Sequence, residues 1–164
     1  MLTKNFYSYM RAALQRISAE FKDTNGGKNT LSVSSSGTPP FAAMKSWAVS
    51  SEKTGVSFGT GTTPATASDY SLESILDSTQ ISVSVPSAVS YSRGDTFDEY
   101  SVTFGVTNKA AEAISVSEVG LIASPQSTWY TLVDRTVLDT PVTIPAGQSK
   151  QITYTIRFNY GDAV

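Results

Sequence analysis

The sequence predicts a mainly β protein: an antiparallel β-sandwich, Ig-like or jelly-roll, with an N-terminal amphipathic α-helix. Three observations predict it. After about residue 30, apolar residues recur at every second position in most segments, the period of a strand with one face on a core and the other in water. Turns rich in Gly, Pro and Asp break these runs about every 8–12 residues, as in sandwiches and barrels. The first segment instead places its apolar residues three and four apart, the period of a helix.

In that first segment Leu2, Phe6, Tyr9, Met10, Ala13, Leu14, Ile17 and Phe21 form one stripe, with Lys4, Asn5, Arg11, Gln15 and Arg16 between them. The pattern predicts a helix of about 20 residues, stopped by Asp23-Thr24-Asn25-Gly26-Gly27. Its stripe must be buried, either on the chain's own sheet or on a neighbouring subunit, because a terminal helix is easily lent to a partner. Phe6, Met10, Leu14 and Ile17 are the expected partner-binding residues.

Leu31 and Val33 then suggest a short strand, followed by a turn or linker at 34–40. Trp47 to Val49 and Val56 to Phe58 suggest a hairpin around Glu52-Lys53-Thr54-Gly55. Gly59-Thr60-Gly61-Thr62-Thr63-Pro64 lacks the Gly-Lys-Ser/Thr ending of a phosphate loop and reads as a turn. Ser68 to Glu73 suggests one helical turn capped by Ser68. Ile81 to Val85 alternates and stops at Pro86. Strands follow at Val102 to Val106, Ile114 to Leu121 and Trp129 to Leu132, the last continued or followed by a new strand from Val133 to Leu138. Pro145-Ala146-Gly147-Gln148 is a turn before a long strand at Ile152 to Tyr160. The expected organisation is a helix at 1–25, short strands and Gly/Pro/Ser-rich loops at 26–67, and a sandwich at 68–164.

Composition narrows the chemistry. The 164 residues include no cysteine and no histidine. That excludes disulfides, thiolate nucleophiles, the commonest metal ligand and any Ser-His-Asp triad. Net charge is −2 and only 16% of residues are charged, which disfavours a phosphate-binding surface. The basic residues Lys4, Arg11, Arg16 and Lys22 are interrupted by Glu20 and Asp23, and this mixed sign fits a solvated face rather than a nucleic-acid or membrane site. Ser and Thr make up roughly a quarter of the chain, well above ordinary usage. No apolar run approaches the roughly 20 residues needed to cross a bilayer. No signal peptide is expected, because no apolar core with a small-residue cleavage site follows Lys4.

Catalysis would have to rest on carboxylates, Lys, Tyr, Ser or a metal. Asp95, Asp98 and Glu99 form the best acidic group, but their spacing does not match an EF-hand and they read as a solvated loop. No pair of carboxylates is marked as facing across a cleft, as a glycosidase requires. Glu118 and Arg135 sit within apolar strand runs. A buried charge is costly unless paired, so a Glu118–Arg135 ion pair across neighbouring strands is expected. Tyr70, Tyr91, Tyr100, Trp129, Tyr130 and Tyr160 are either core and cross-strand aromatics or a sugar-stacking surface.

The motifs come in a suggestive order: Phe58 to Pro64, Asp69-Tyr70-Ser71-Leu72-Glu73, Thr107-Asn108, Ile114 to Leu121, Leu132 to Leu138, then Pro141 to Phe158. This ordered set resembles small β-sandwich structural proteins of tailed bacteriophages over roughly the last two-thirds of the chain. The resemblance implies a non-enzymatic virion component, such as a capsid decoration or cement protein or a tail or head-fibre adaptor. It implies other virion proteins as partners, a homo-oligomer, no cofactor, no metal, no nucleic acid and no membrane. The alternative class is a carbohydrate-binding or adhesin module.

Overall fold

A computed structural model describes residues 1–15, 19–31, 55–84, 88–126 and 129–159. Among the described residues the fold is mainly β, with antiparallel sheets and one short helix. The chain divides into two compact units, each discontinuous in sequence: 1–78 with 115–142, and 79–114 with 143–164. This differs from the expected division at residues 26 and 68. Two late strands complete the unit that holds the N-terminus, because strand partners are chosen by buried faces and not by nearness in sequence.

The first unit begins with helix α1 (Lys4–Gln15). It is shorter than the expected 20 residues. The apolar stripe continues to Phe21, but Phe21 lies on strand β1 (Ala19–Lys22), which pairs antiparallel with β2 (Lys28–Leu31). The Asp23 to Gly27 segment is therefore the turn of a hairpin and not a helix stop. Asp23 makes the turn: its Oδ1 accepts from the backbone N–H of Asn25 and Gly27, at 2.9 and 2.8 Å. Gly26 sits at φ +87°, a conformation that costs glycine little. A period of three to four and a period of two both place Phe21 inside, so periodicity alone did not separate helix from strand here.

Strand β3 (Gly55–Gly59) pairs with β7 (Ile114–Gln126), which in turn pairs with β8 (Trp129–Ile144). β3 is buried at every position. β8 is one long strand and not two. The start of the chain is built onto it: Leu2 bridges Asp134, and the Thr3 N–H donates to the Val133 carbonyl at 2.9 Å. The buried Asn5 side chain donates to the carbonyls of Lys22 and Leu132, at 2.8 and 3.3 Å, and accepts from the Lys22 N–H at 2.9 Å. One amide thus ties helix, hairpin and sheet, using most of its hydrogen-bonding capacity. The expected strand at Val33, the 34–40 turn and the partner strand at Trp47 to Val49 lie outside the described residues.

The second unit is organised on β6 (Phe97–Asn108). β9 (Ser149–Asn159) pairs along nearly all of it, from Phe97↔Asn159 to Thr107↔Ser149. β5 (Ala88–Arg93) and β4 (Ile81–Val83) pair with its two halves. The alternation read from sequence has its physical meaning here. Val102, Phe104 and Val106 of β6 and Ile152, Tyr154 and Ile156 of β9 are buried. The opposite face carries hydroxyls joined across the strands: Ser101–Thr155, Thr103–Thr153 and Thr107–Ser149, at 2.7, 2.8 and 2.6 Å. The Pro145 to Gln148 turn is present, with Gly147 at φ +67°. Buried Asn108 serves it by donating to the carbonyls of Glu112 and Ile144, at 2.7 and 2.9 Å.

Phe104→Ala is expected to lower the unfolding free energy by about 3–5 kcal/mol, the cost of emptying a large core site. Thr103→Ala, one position along on the wet face, should cost only about 0.2–1 kcal/mol. Urea denaturation of the two variants checks the contrast, and equal losses would contradict the assigned faces.

Candidate functional site

The first unit concentrates charge at one place. β7 presents Glu118 and β8 presents Arg135, and their side chains are 0% and 4% exposed. Arg135 Nε donates to Glu118 Oε2 at 2.8 Å. The ion pair expected from the sequence is therefore present, and it is the centre of a larger network.

Glu118 accepts three further hydrogen bonds, all from backbone. Gly61 and Ser74 donate to Oε1 at 3.2 and 2.8 Å, and Glu73 donates to Oε2 at 3.1 Å. With the guanidinium this makes four, about what a carboxylate's lone pairs can accept. Arg135 reaches on: Nη1 donates to Asp69 Oδ2 at 2.8 Å, and Nη2 donates to the Thr63 carbonyl at 3.1 Å. Glu73 Oε2 lies at the limit, 3.5 Å from Nη2. The planar fork of arginine, with five N–H donors, can serve several partners at once where lysine cannot.

The carboxylates in turn hold the 60–76 segment. Asp69 accepts from the Thr66 N–H and hydroxyl, at 2.9 and 2.7 Å. Glu73 accepts from the Thr63 N–H and hydroxyl, at 2.9 and 2.8 Å. Backbone bonds from Thr60 to the Ser74 carbonyl and from Leu76 to the Phe58 carbonyl close the segment onto β3. The single helical turn expected at Ser68 to Glu73 does not form. Asp69 faces a guanidinium and its own Thr66 turn, which displace the cap role read for Ser68.

Two glycines are demanded by this packing. A Cβ on Gly59 would lie 2.5 Å from Glu118 Oε1 and 2.6 Å from the Ser74 carbonyl oxygen. A Cβ on Gly61 would lie 2.5 Å from Glu73 Cβ and 2.6 Å from Glu118 Oε1. The Gly-Thr-Gly stretch is thus shaped around a carboxylate and not a phosphate.

Protonation follows the same contacts. Burial pushes the Asp69 carboxyl up, but hydrogen bonds from Thr66 and Arg135 outweigh it and hold it below its ordinary value of 3.8. The Thr63 N–H and hydroxyl, with smaller help from Arg135, hold Glu73 below 4.5. For Arg135, burial acts downward, and the bonds to Asp69 and Glu118 overcome it and raise its pKa. All these charged forms are fixed at neutral pH. Arg135 sits among three carboxylates much as a bound cation would. Chemically the arrangement is a clamp.

The remaining sequence-derived residues are dispersed. Phe6 is 8% exposed and belongs to the first unit's own core. Met10 is half-buried; the Leu14 side chain and Ile17 lie outside the described residues. Tyr7, outside the apolar stripe of the sequence, is 59% exposed and sits three residues before Met10, on the same side of α1. Asp98 and Glu99 do not gather with Asp95: they pair separately with Arg93 and Arg157, at 2.7 and 2.6 Å. Of the aromatics, Tyr70 lies under the Lys22 ammonium at 3.9 Å, and Tyr130 packs on Leu72, Ile122 and Leu132. Tyr91 and Tyr100 come together, with ring centroids 4.9 Å apart. The Trp129 side chain and Tyr160 lie outside the described residues. Among the described residues, no group of three or more Asp or Glu is arranged to hold a metal ion, and no helix is long and apolar enough to cross a membrane.

Comparison with protein families, with curated proteins and with solved structures returned no match.

Arg135→Met is expected to destabilise the first unit by about 3–5 kcal/mol, because it leaves Glu118 buried without its countercharge. The double variant Glu118→Leu with Arg135→Met should recover part of that loss. Urea denaturation of both tests the clamp; a double variant no better than the single one would contradict it.

Acid should open the clamp. Asp69 and Glu73 have folded pKa values below their ordinary ones, so the stability they add is fully present above about pH 5 and is lost as pH falls through the folded values. The urea midpoint should therefore drop steadily below pH 4.5, the ordinary Glu73 value. Asp69→Asn should lower the midpoint at pH 7 and flatten that acid limb.

Proposed function

We propose that this chain is a non-enzymatic structural protein of a bacteriophage particle, an accessory component such as a capsid decoration or cement protein or a tail or head-fibre adaptor. One observation carries the reading. Of the six motifs that resemble phage structural proteins, four (Phe58 to Pro64, Asp69 to Glu73, Ile114 to Leu121 and Leu132 to Leu138) bring Gly59, Gly61, Asp69, Glu73, Glu118 and Arg135 together in one clamp. That part of the resemblance falls on residues that hold a scaffold, as expected when function lies in surfaces and not in a reactive centre. A sandwich arrangement, homo-oligomeric assembly and residence in the virion belong to this same proposal.

Assembly contacts are assigned to the outward side of α1. Thr3, Asn5 and Phe6 are buried in the first unit, so the helix is anchored by its first turn. Tyr7, 59% exposed, then offers apolar surface that a partner subunit would cover.

Purified particles from a phage lysate encoding this chain should contain it at a fixed stoichiometry, read by quantitative mass spectrometry. Its absence from particles, with the protein left in the soluble fraction, would overturn the proposal. Tyr7→Glu should reduce incorporation at least tenfold, about 1.4 kcal/mol of lost docking, with little change in the thermal midpoint.

A further inference from the structure

The inward face of the second unit's sheet does not end where its core ends. Val102 of β6 and Ile156 of β9 are buried. Two residues further along each strand, on the same face, stand Tyr100 and Phe158. Tyr91 of β5 lies directly opposite Tyr100. The Tyr91 and Tyr100 rings are 4.9 Å apart and tilted by 42°, and Phe158 meets Tyr100 edge-on at 6.3 Å. Tyr91 is 50% and Tyr100 is 40% exposed. Large aromatics are seldom left this open side by side when burial alone is at work.

The rim of this patch is polar and rigid. Asp98 accepts from the Tyr91 hydroxyl at 2.9 Å and from Arg93 Nε and Nη2, at 2.7 and 3.1 Å. The bidentate pair fixes a carboxylate and a guanidinium beside the rings. The Arg93 side chain is 69% exposed.

We propose that this patch, formed by Tyr91, Tyr100, Phe158, Arg93 and Asp98, binds a neutral carbohydrate. Three features select that ligand. Among the described residues, the charged side chains of the patch are Arg93 and Asp98, in direct contact, and the pair offers no net charge to an ionic ligand. Arg93 already stands 6.0 Å from the Tyr91 ring centroid, where a cationic ligand would otherwise sit. The exposed parts of the two tyrosines amount to roughly 200 Å² in total, far less than the about 800 Å² per partner of a specific protein interface. That area matches one or two sugar rings. Their C–H faces would stack on Tyr91 and Tyr100, and their hydroxyls would meet the planar edges of Arg93 and Asp98. Such a shallow site binds weakly alone and gains strength when many copies are displayed together. The site goes beyond the scaffold reading and is independent of it.

The test is an amide NMR titration of the full chain with cellohexaose, maltohexaose, mannohexaose and chitohexaose, each to tens of millimolar. The expected result is that at least one of these shifts amides at 91–93, 98–100 and 156–158. Tyr91→Ala and Tyr100→Ala should each weaken binding roughly tenfold, whereas Tyr91→Phe keeps the ring and should stay within about threefold. Tyr7→Ala, in the other unit, should change nothing. The proposal is overturned if none of the four sugars shifts this patch in the unaltered chain, or if the shifts survive in both alanine variants. It is also overturned if the patch responds only to protein concentration, which would mark it as a contact with a second copy. Particle incorporation is read separately, so failure here leaves the structural-protein reading to its own experiment.

Discussion

The buried charge of Glu118 governs the first unit. A carboxylate removed from water costs several kcal/mol unless its lone pairs are filled and its charge is opposed. One arginine and three backbone amides meet that demand here. Satisfying Glu118 therefore requires the 60–76 segment to lie across β7, with its N–H groups aimed inward. Asp69 and Glu73 then hold the same segment from outside, through threonines and the far side of the guanidinium. A stretch with little regular secondary structure is thereby held in one conformation.

The same contacts set the protonation of the outer carboxylates: hydrogen bonds from Thr63, Thr66 and Arg135 hold Asp69 and Glu73 below their ordinary pKa values. Gly59 and Gly61 are required beside Glu118, because a Cβ at either would lie within 2.6 Å of its Oε1. The second unit achieves order by different means: apolar alternation on one face of β6 and β9, and cross-strand hydroxyl pairs on the other. Two separate Arg–acid pairs, Arg93–Asp98 and Arg157–Glu99, lie at one end of the sheet.

Much of this was legible in the chain. The strands read at 102–106, 114–121 and from 152 fall within β6, β7 and β9; alternation of a dry and a wet face marks β6 and β9, whereas β7 is buried at every position from Val116 to Ala123. Pairing of Glu118 with Arg135 follows from the cost of isolated buried charge. The 19–31 hairpin was not legible, because Phe21 fits a helical and a strand period alike and Asp-Thr-Asn-Gly-Gly suits either a helix stop or a turn. Asp69 and Glu73 were not recognisable as partners of Arg135. They lie more than sixty residues away along the chain, in a segment with no period to say which way it faces. Phe158 looked like one more strand aromatic; only its neighbours Tyr91 and Tyr100 make it part of a patch.

By itself the sequence determined a mainly β fold. Two-residue alternation gives the strands, and the lack of His and Cys removes their chemistry; these are local or compositional properties. Tertiary structure decided which strands share a sheet, which end of α1 is buried and which carboxylates join the ion pair. Those outcomes depend on contacts between residues distant in sequence. Their energies come from shared burial, which no single segment encodes.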